Sequence, residues 1–379
     1  MTAFDDVPRQ GRDPPQQDET AFAYLNRSGR AEAGRVRRLV DTWLDHYPIQ
    51  HRDGLVTRFR SSIDDQHRSA FFELFLHELV LTRGHKVVAI EPKLAHTTRS
   101  PDFLVETSQG ERFYLEGVIA TGRSHEDAAA QARLNQALAA IDSTPSPAHF
   151  LDLSAHGVPS APISINKMKR SLARWIATLP EDDAATSAAP FVYDEHGLRT
   201  TLRAFPRKNR ARGTRSIGVR HFPVRQVTVD EDIRGALEKK ASRYGDLDHP
   251  YVVAVNALGL FHHEDDAFDA LLGTAVTQMR EFNDGTFRTE DTRKPDGVWV
   301  GPKGPRRRGL SAVFSTEQID PWNFASRHAR LIRNPWSIAV LPPIALGVDE
   351  FAPIDGNFRR TEGMIVGRIF GLPEAWPGD

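Results

Sequence analysis

Three acids sit where acids are costly. Glu73 interrupts Ala70–Leu81 (AFFELFLHELVL). At 100° per residue the Phe, Leu and Val side chains cover most of that helix, leaving Glu73 and His77 one turn apart on the remaining strip. A carboxylate buried there needs a partner, either an internal ion pair or cap contact, or a metal ion. Asp102 follows Pro101 at the edge of an extended Phe103–Val105 segment, within reach of a cleft. Glu116 breaks the apolar run Phe113–Val118 (FYLEGV). Strand alternation puts it on one face with Tyr114 and Val118, and Gly117 leaves room for close backbone approach.

Positioning these acids requires a helix followed by three strands. The apolar spacing predicts a helix over 65–81, stopped by Gly84. Strands are expected at 86–90, 103–105 and 112–119, the last two joined by a turn at Thr107–Gly110. Amphipathic helices precede them at 31–46 (Val36, Leu39, Val40, Trp43, Leu44) and around Leu55–Phe59. A helix at 125–141 and a strand at 149–153 then complete the expected unit, with a further helix at 165–179. Downstream, strands are expected at 191–193, 198–205, 251–255, 297–300 and 311–314, and helices at 231–244 and 267–279, again an α/β alternation.

The order helix-Glu, Gly, strand, Pro-Asp, hairpin, apolar-Glu resembles the PD-(D/E)XK nuclease superfamily over about fifty residues. The resemblance implies a restriction-endonuclease-like αβββαβ core with N-terminal helices, followed by a second α/β region. It implies catalytic Glu73, Asp102 and Glu116, with Asp102, Glu116 and the Gly117 carbonyl on Mg²⁺ (or Mn²⁺). Glu73 would serve a second ion or a metal-bound water, with His77 holding it in place. Such a set suits phosphodiester hydrolysis, which needs charge stabilisation and an activated water. One position departs from the family: lysine usually stands two residues after the third acid, and here Val118 does. Lys86, Lys93, Lys239 and Lys240 are the candidate replacements, although the last two also read as a solvated helix face. The readings are therefore a Mg²⁺-dependent DNA endonuclease, an inactive relative that binds nucleic acid, or an interaction scaffold.

Composition narrows the classes. The chain has 379 residues, 40% hydrophobic and 26% charged, as expected of a soluble globular protein. It has no cysteine, which excludes thiolate chemistry and disulfides, and no apolar run of membrane-spanning length. The acidic, proline-bearing start is unlike a signal peptide, so a cytoplasmic protein is expected, and the excess of arginine over lysine with abundant alanine points to a GC-rich bacterial genome. Net charge is −1, yet no acid occurs from His196 to Thr228, where nine Arg and Lys do. Arg207, Lys208, Arg210, Arg212 and Arg215 are the candidate phosphate contacts, to DNA first and RNA second, with a lesser cluster at Lys303 and Arg306–Arg308. The division expected is a disordered tail over 1–20, a helical cap and core over 21–180, a linker at Pro180–Pro190, and a C-terminal α/β domain over 190–379.

Other motifs fail. His77-Glu78 opens like a zincin helix but lacks the second histidine. His262–Asp266 reads better as a helix cap than a metal site. Gly301–Gly309 lacks the GK[ST] of a phosphate loop.

Overall fold

A computed structural model describes residues 2–16, 19–121, 125–207, 217–221, 229–259, 265–281 and 287–378. Its helices are α1 (Ala21–Arg27), α2 (Ala31–His46), α3 (Ile49–Phe59), α4 (Asp64–Thr82), α5 (His125–Asp142), α6 (Ile165–Ala177), α7 (Val229–Ala241), α8 (Asp266–Leu272) and α9 (Val366–Ile369). The first strands are β1 (Lys86–Ile90), β2 (Phe103–Glu106), β3 (Arg112–Ala120), β4 (His149–His156), β5 (Phe191–Glu195), β6 (Leu198–Pro206), β7 (Ile217–His221) and β8 (Tyr251–Ala257). Then come β9 (Ala275–Glu281), β10 (Phe287–Arg293), β11 (Val300–Gly301), β12 (Gly304–Pro305), β13 (Ala312–Glu317), β14 (Ala329–Arg333), β15 (Asp349–Ile354) and β16 (Asn357–Thr361).

The protein is mixed α/β, and its chain divides into two compact units at other places than 180 and 190. One unit takes residues 1–13, 20–122 and 227–379; the other takes 14–19 and 123–226. Pro180–Pro190 is no boundary but part of the second unit, where it forms a short 3₁₀ turn with Ala185 buried. The N-terminal segment is not a free tail throughout, since Ala3 and Phe4 lie in the core and the Ala3 amide donates to Asp41 Oδ1 at 2.8 Å.

The first unit is built on an eight-stranded sheet in the order β1-β2-β3-β8-β13-β14-β15-β16. Strands β1, β2 and β3 form an antiparallel meander, turned at Gly110, whose φ of +87° needs glycine. Strand β3 then runs parallel to β8, and β8 parallel to β13. Every residue of β8 (YVVAVNA) is buried, as a parallel central strand covered on both faces must be. One face packs on α4 through Phe71, Phe75 and Leu76 against Phe103, Phe113, Leu115 and Phe314. The other packs on α7 and α8 through Ile233, Leu237 and Ala270 against Tyr114, Val253, Val255 and Val313. Each buried Phe or Leu contributes roughly 1.5–3 kcal/mol, so the two apolar layers fix the sheet that carries the acids.

The sheet's continuation departs from expectation. The helix and strand that follow β3 in sequence, α5 and β4, belong to the second unit, and α7 and β8, more than a hundred residues later, complete the meander instead. The helix expected over 267–279 also ends early. It stops at Gly273, whose φ of +102° and whose contact with the Lys294 carbonyl exclude a side chain, and β9 pairs with β10 beyond it.

The second unit is a four-stranded sheet, β5-β6-β4-β7, with α5 and α6 on one face. Leu151, Leu153, Leu198 and Leu202 meet Leu138, Ile141, Met168 and Leu172 there.

Candidate active site

Local register brings two of the three acids together. Phe103 pairs with Leu115 across β2 and β3, so Asp102 falls opposite Glu116 at the strand edge. The Asp102 amide donates to Glu116 Oε2 at 3.2 Å, and the Gly117 amide donates to Asp102 Oδ2 at 2.7 Å. Glycine matters here because a Cβ at 117 would stand 3.2 Å from Leu76 and 3.4 Å from Asp102 Oδ2. Gly117 therefore serves Asp102 with its N–H.

Glu116 is 1% exposed and receives donors from two further elements. Lys240, at the end of α7, places its amine on Oε1. Tyr244, just past the helix, donates to Oε2 at 2.7 Å and also reaches the Ser100 carbonyl at 2.8 Å. The helix expected over 231–244 stops at Ala241, and that early stop lets Tyr244 turn back onto the strand edge. Burial and then the Glu116 charge raise the Tyr244 phenol, so it stays protonated and acts as a donor. Arg243 stands 4.0 Å from the same carboxylate. Of the candidate lysines, Lys240 reaches the acids, whereas Lys86, Lys93 and Lys239 are exposed.

Glu73 has a different neighbourhood. Arg58 of α3 grips it with two nitrogens, at 2.6 and 3.1 Å, and the Tyr47 hydroxyl donates to Oε1 at 2.8 Å. The internal ion pair, one of the two readings open from the sequence, is the one realised. His77 does not hold Glu73. Its ring packs 4.7 Å from that of Tyr47 and 6.0 Å from that of Phe103, with Nδ1 buried and unbonded. Burial, and then the His46 charge, bring it down to about 4, so it is neutral at pH 7.

The electrostatics converge on Asp102. Burial, then the Glu116 and Glu73 charges, push its carboxyl up to about 8, against the pull of the Gly117 N–H and of Lys240. Glu73 is balanced by Arg58 and Glu116 by Lys240, which leaves Asp102 as the acid short of positive charge.

An all-oxygen donor pair suits Mg²⁺, which is commonly held by one or two carboxylates with water and phosphate completing its shell. Asp102 and Glu116 fit that description. Among the described residues no group of three Asp, Glu or His side chains lies close enough to hold one ion, and Glu73 is taken up by Arg58 and Tyr47.

The basic candidates fare differently. Arg207 is buried, donates to the His149 carbonyl at 2.9 Å and lies 4.1 Å from the Phe150 ring centroid, so it is a structural arginine and not a free phosphate contact. Lys208, Arg210, Arg212 and Arg215 lie outside the described residues, as do His262, His263 and Glu264. Asp265 precedes α8 without making a side-chain cap bond. Arg306 and Arg307 are paired with Glu238 at 2.5 and 2.7 Å.

No family model, curated protein or solved structure matches this chain. Among the described residues no helix is long and apolar enough to cross a membrane.

Proposed function

We propose that the protein is a Mg²⁺-dependent nuclease hydrolysing DNA phosphodiester bonds on a restriction-endonuclease-like core. The observation that carries this reading is the meeting of Asp102, Glu116 and the Lys240 amine at one strand edge. The order α4-β1-β2-β3 followed, after the second unit's residues, by α7-β8, with β3 and β8 parallel, supports this reading, because the resemblance implies an αβββαβ succession. Val118 leaves the usual lysine position apolar, and Lys240 brings an amine to the third acid from the crossover helix instead.

Asp102 and Glu116 would hold the ion. When bound, Mg²⁺ supplies charge neutralisation at the scissile phosphate and a more acidic water. Lys240 neutralises Glu116 and presents N–H donors beside the position a phosphate oxygen would take. Tyr244, anchored at Ser100, fixes the rotamer of Glu116. Arg58 and Tyr47 hold Glu73 in place, and its charge acts on Asp102 from a distance. That Glu73 and Glu116 are both fully engaged favours a second reading, in which the site binds nucleic acid without cutting it.

Incubation with plasmid, linear and single-stranded DNA in Mg²⁺ or Mn²⁺ separates the two. We expect metal-dependent cleavage that EDTA and Asp102→Ala abolish. Absence of cleavage on every substrate, or cleavage that persists in Asp102→Ala, rejects the nuclease.

A further inference from the structure

We infer that the face of the second unit's sheet opposite α5 and α6 is a binding platform for single-stranded nucleic acid. The proposal concerns this unit alone and does not depend on cleavage. In β4 and β6, the two central strands, alternate residues point to α5 and α6 and are buried, while the others face away. A solvated sheet face is normally polar. Here Phe150 and Phe205, directly opposite each other in register, are 44% and 41% exposed. Cross-strand pairing of two aromatics is worth only about 0.2–1 kcal/mol to a sheet. It gives no reason to leave both rings in water at the centre of the unit.

The surroundings indicate what would cover them. On the same face Arg203 lies opposite Asp152, and Arg199 lies between His156 and Asp194, so each arginine has one acid across the strand. The two arginines are exposed and about 13 Å apart along the strand. Arg207, anchored on the His149 carbonyl, backs the Phe150 ring with its guanidinium. Strand β6 itself lies in the acid-free run from His196 to Thr228. Flat rings flanked by arginines suit unpaired bases joined by phosphates, because base–aromatic stacking tolerates any sequence and the cations follow the backbone. Duplex DNA offers the phosphates but keeps its base faces stacked on one another. Among the possible occupants, the chemistry therefore selects a single strand.

Fluorescence anisotropy of the full chain in EDTA, at low salt, tests this with a labelled dT12 strand and a duplex of equal length. Working in EDTA makes the result independent of whether the protein cuts. We expect tighter binding of the single strand than of the duplex. Phe150→Leu/Phe205→Leu should weaken single-strand binding at least tenfold, since leucine keeps an apolar surface but cannot stack. Arg199→Gln/Arg203→Gln should weaken it and flatten its salt dependence. All four side chains are exposed, so the melting temperature, recorded in parallel, should hold. The proposal is overturned by failure to bind dT12, by unchanged binding in the Phe pair variant, or by equal affinity for the duplex. A dimer that Phe150→Asp dissociates would overturn it too, assigning the face to a second copy of the chain.

Discussion

Lys240→Met should lower the rate of DNA cleavage about 10²–10³-fold, the usual cost of removing one preorganised donor from a charged transition state. The side chain keeps nearly the same length and its apolar stem, so α7 should still pack through Ile233 and Leu237. Glu116 would retain the Tyr244 hydroxyl, the Asp102 amide and the more distant Arg243 but lose the cation in direct contact. Removing one partner of a buried ion pair costs about 3–5 kcal/mol, so a lower melting temperature should accompany the loss. Lys240→Arg separates the two effects. It restores the charge and much of the stability, while the planar guanidinium cannot reproduce the position of a compact ammonium. The expected outcome is near-normal melting with cleavage still well below the parent. Cleavage by Lys240→Met at the parent rate would remove the lysine from the mechanism.

Asp102→Asn should stabilise the folded protein, and by more as pH rises. The folded carboxyl titrates near 8 against an ordinary 3.8. Its contribution to stability is therefore fully present below pH 3.8 and is lost as pH rises towards 8, where the folded protein must carry the charge. Asparagine carries none and can still accept from the Gly117 amide. The difference in stability between variant and parent should be near zero at pH 4, grow through neutrality and level off above pH 8. Its plateau should be on the order of a few kcal/mol. Thermal melts between pH 4 and 9 measure it. A variant that is less stable by the same amount at every pH would show that Asp102 does not carry an uncompensated charge. Stabilisation combined with lost activity is what a functional site is expected to give, since its charges are arranged for a ligand and not for the fold.

Much of this was legible in the sequence. Helix α2 and strand β1 lie at the expected residues, and α4, β2 and β3 within one, because their apolar periodicity has a single reading and Gly84 and Gly110 punctuate it. The pairing of Asp102 with Glu116 follows from the hairpin register. Three features were not legible. The local sequence of α5 and β4 is as good a helix and strand as that of α7 and β8, and only long-range sheet pairing decides which pair joins β3. Lys240 sits beside Lys239 on a polar helix face, and nothing local separates the exposed lysine from the one turned to Glu116. Tyr47, Arg58 and Tyr244 come from the end of one helix, the last turn of another and the turn beyond a third. No motif spacing links them to the acids they serve. The Phe150–Phe205 pair illustrates the same limit, since each phenylalanine looks like a core residue until the register reveals which face it shares.

The proposed activity requires Asp102 and Glu116 to take a divalent cation, and the melting temperature in the presence of Mg²⁺ or Mn²⁺ reads this without reference to activity. Ligand binding to the folded state raises stability in proportion to RT ln(1 + [L]/Kd). A carboxyl titrating near 8 makes the ion compete with a proton, weakening the apparent affinity about tenfold for each pH unit below that. The expected result is a rise in the parent protein's melting temperature that is larger at pH 8 than at pH 6 and absent from Asp102→Asn. No rise at either pH, or an equal rise in the variant, would contradict it.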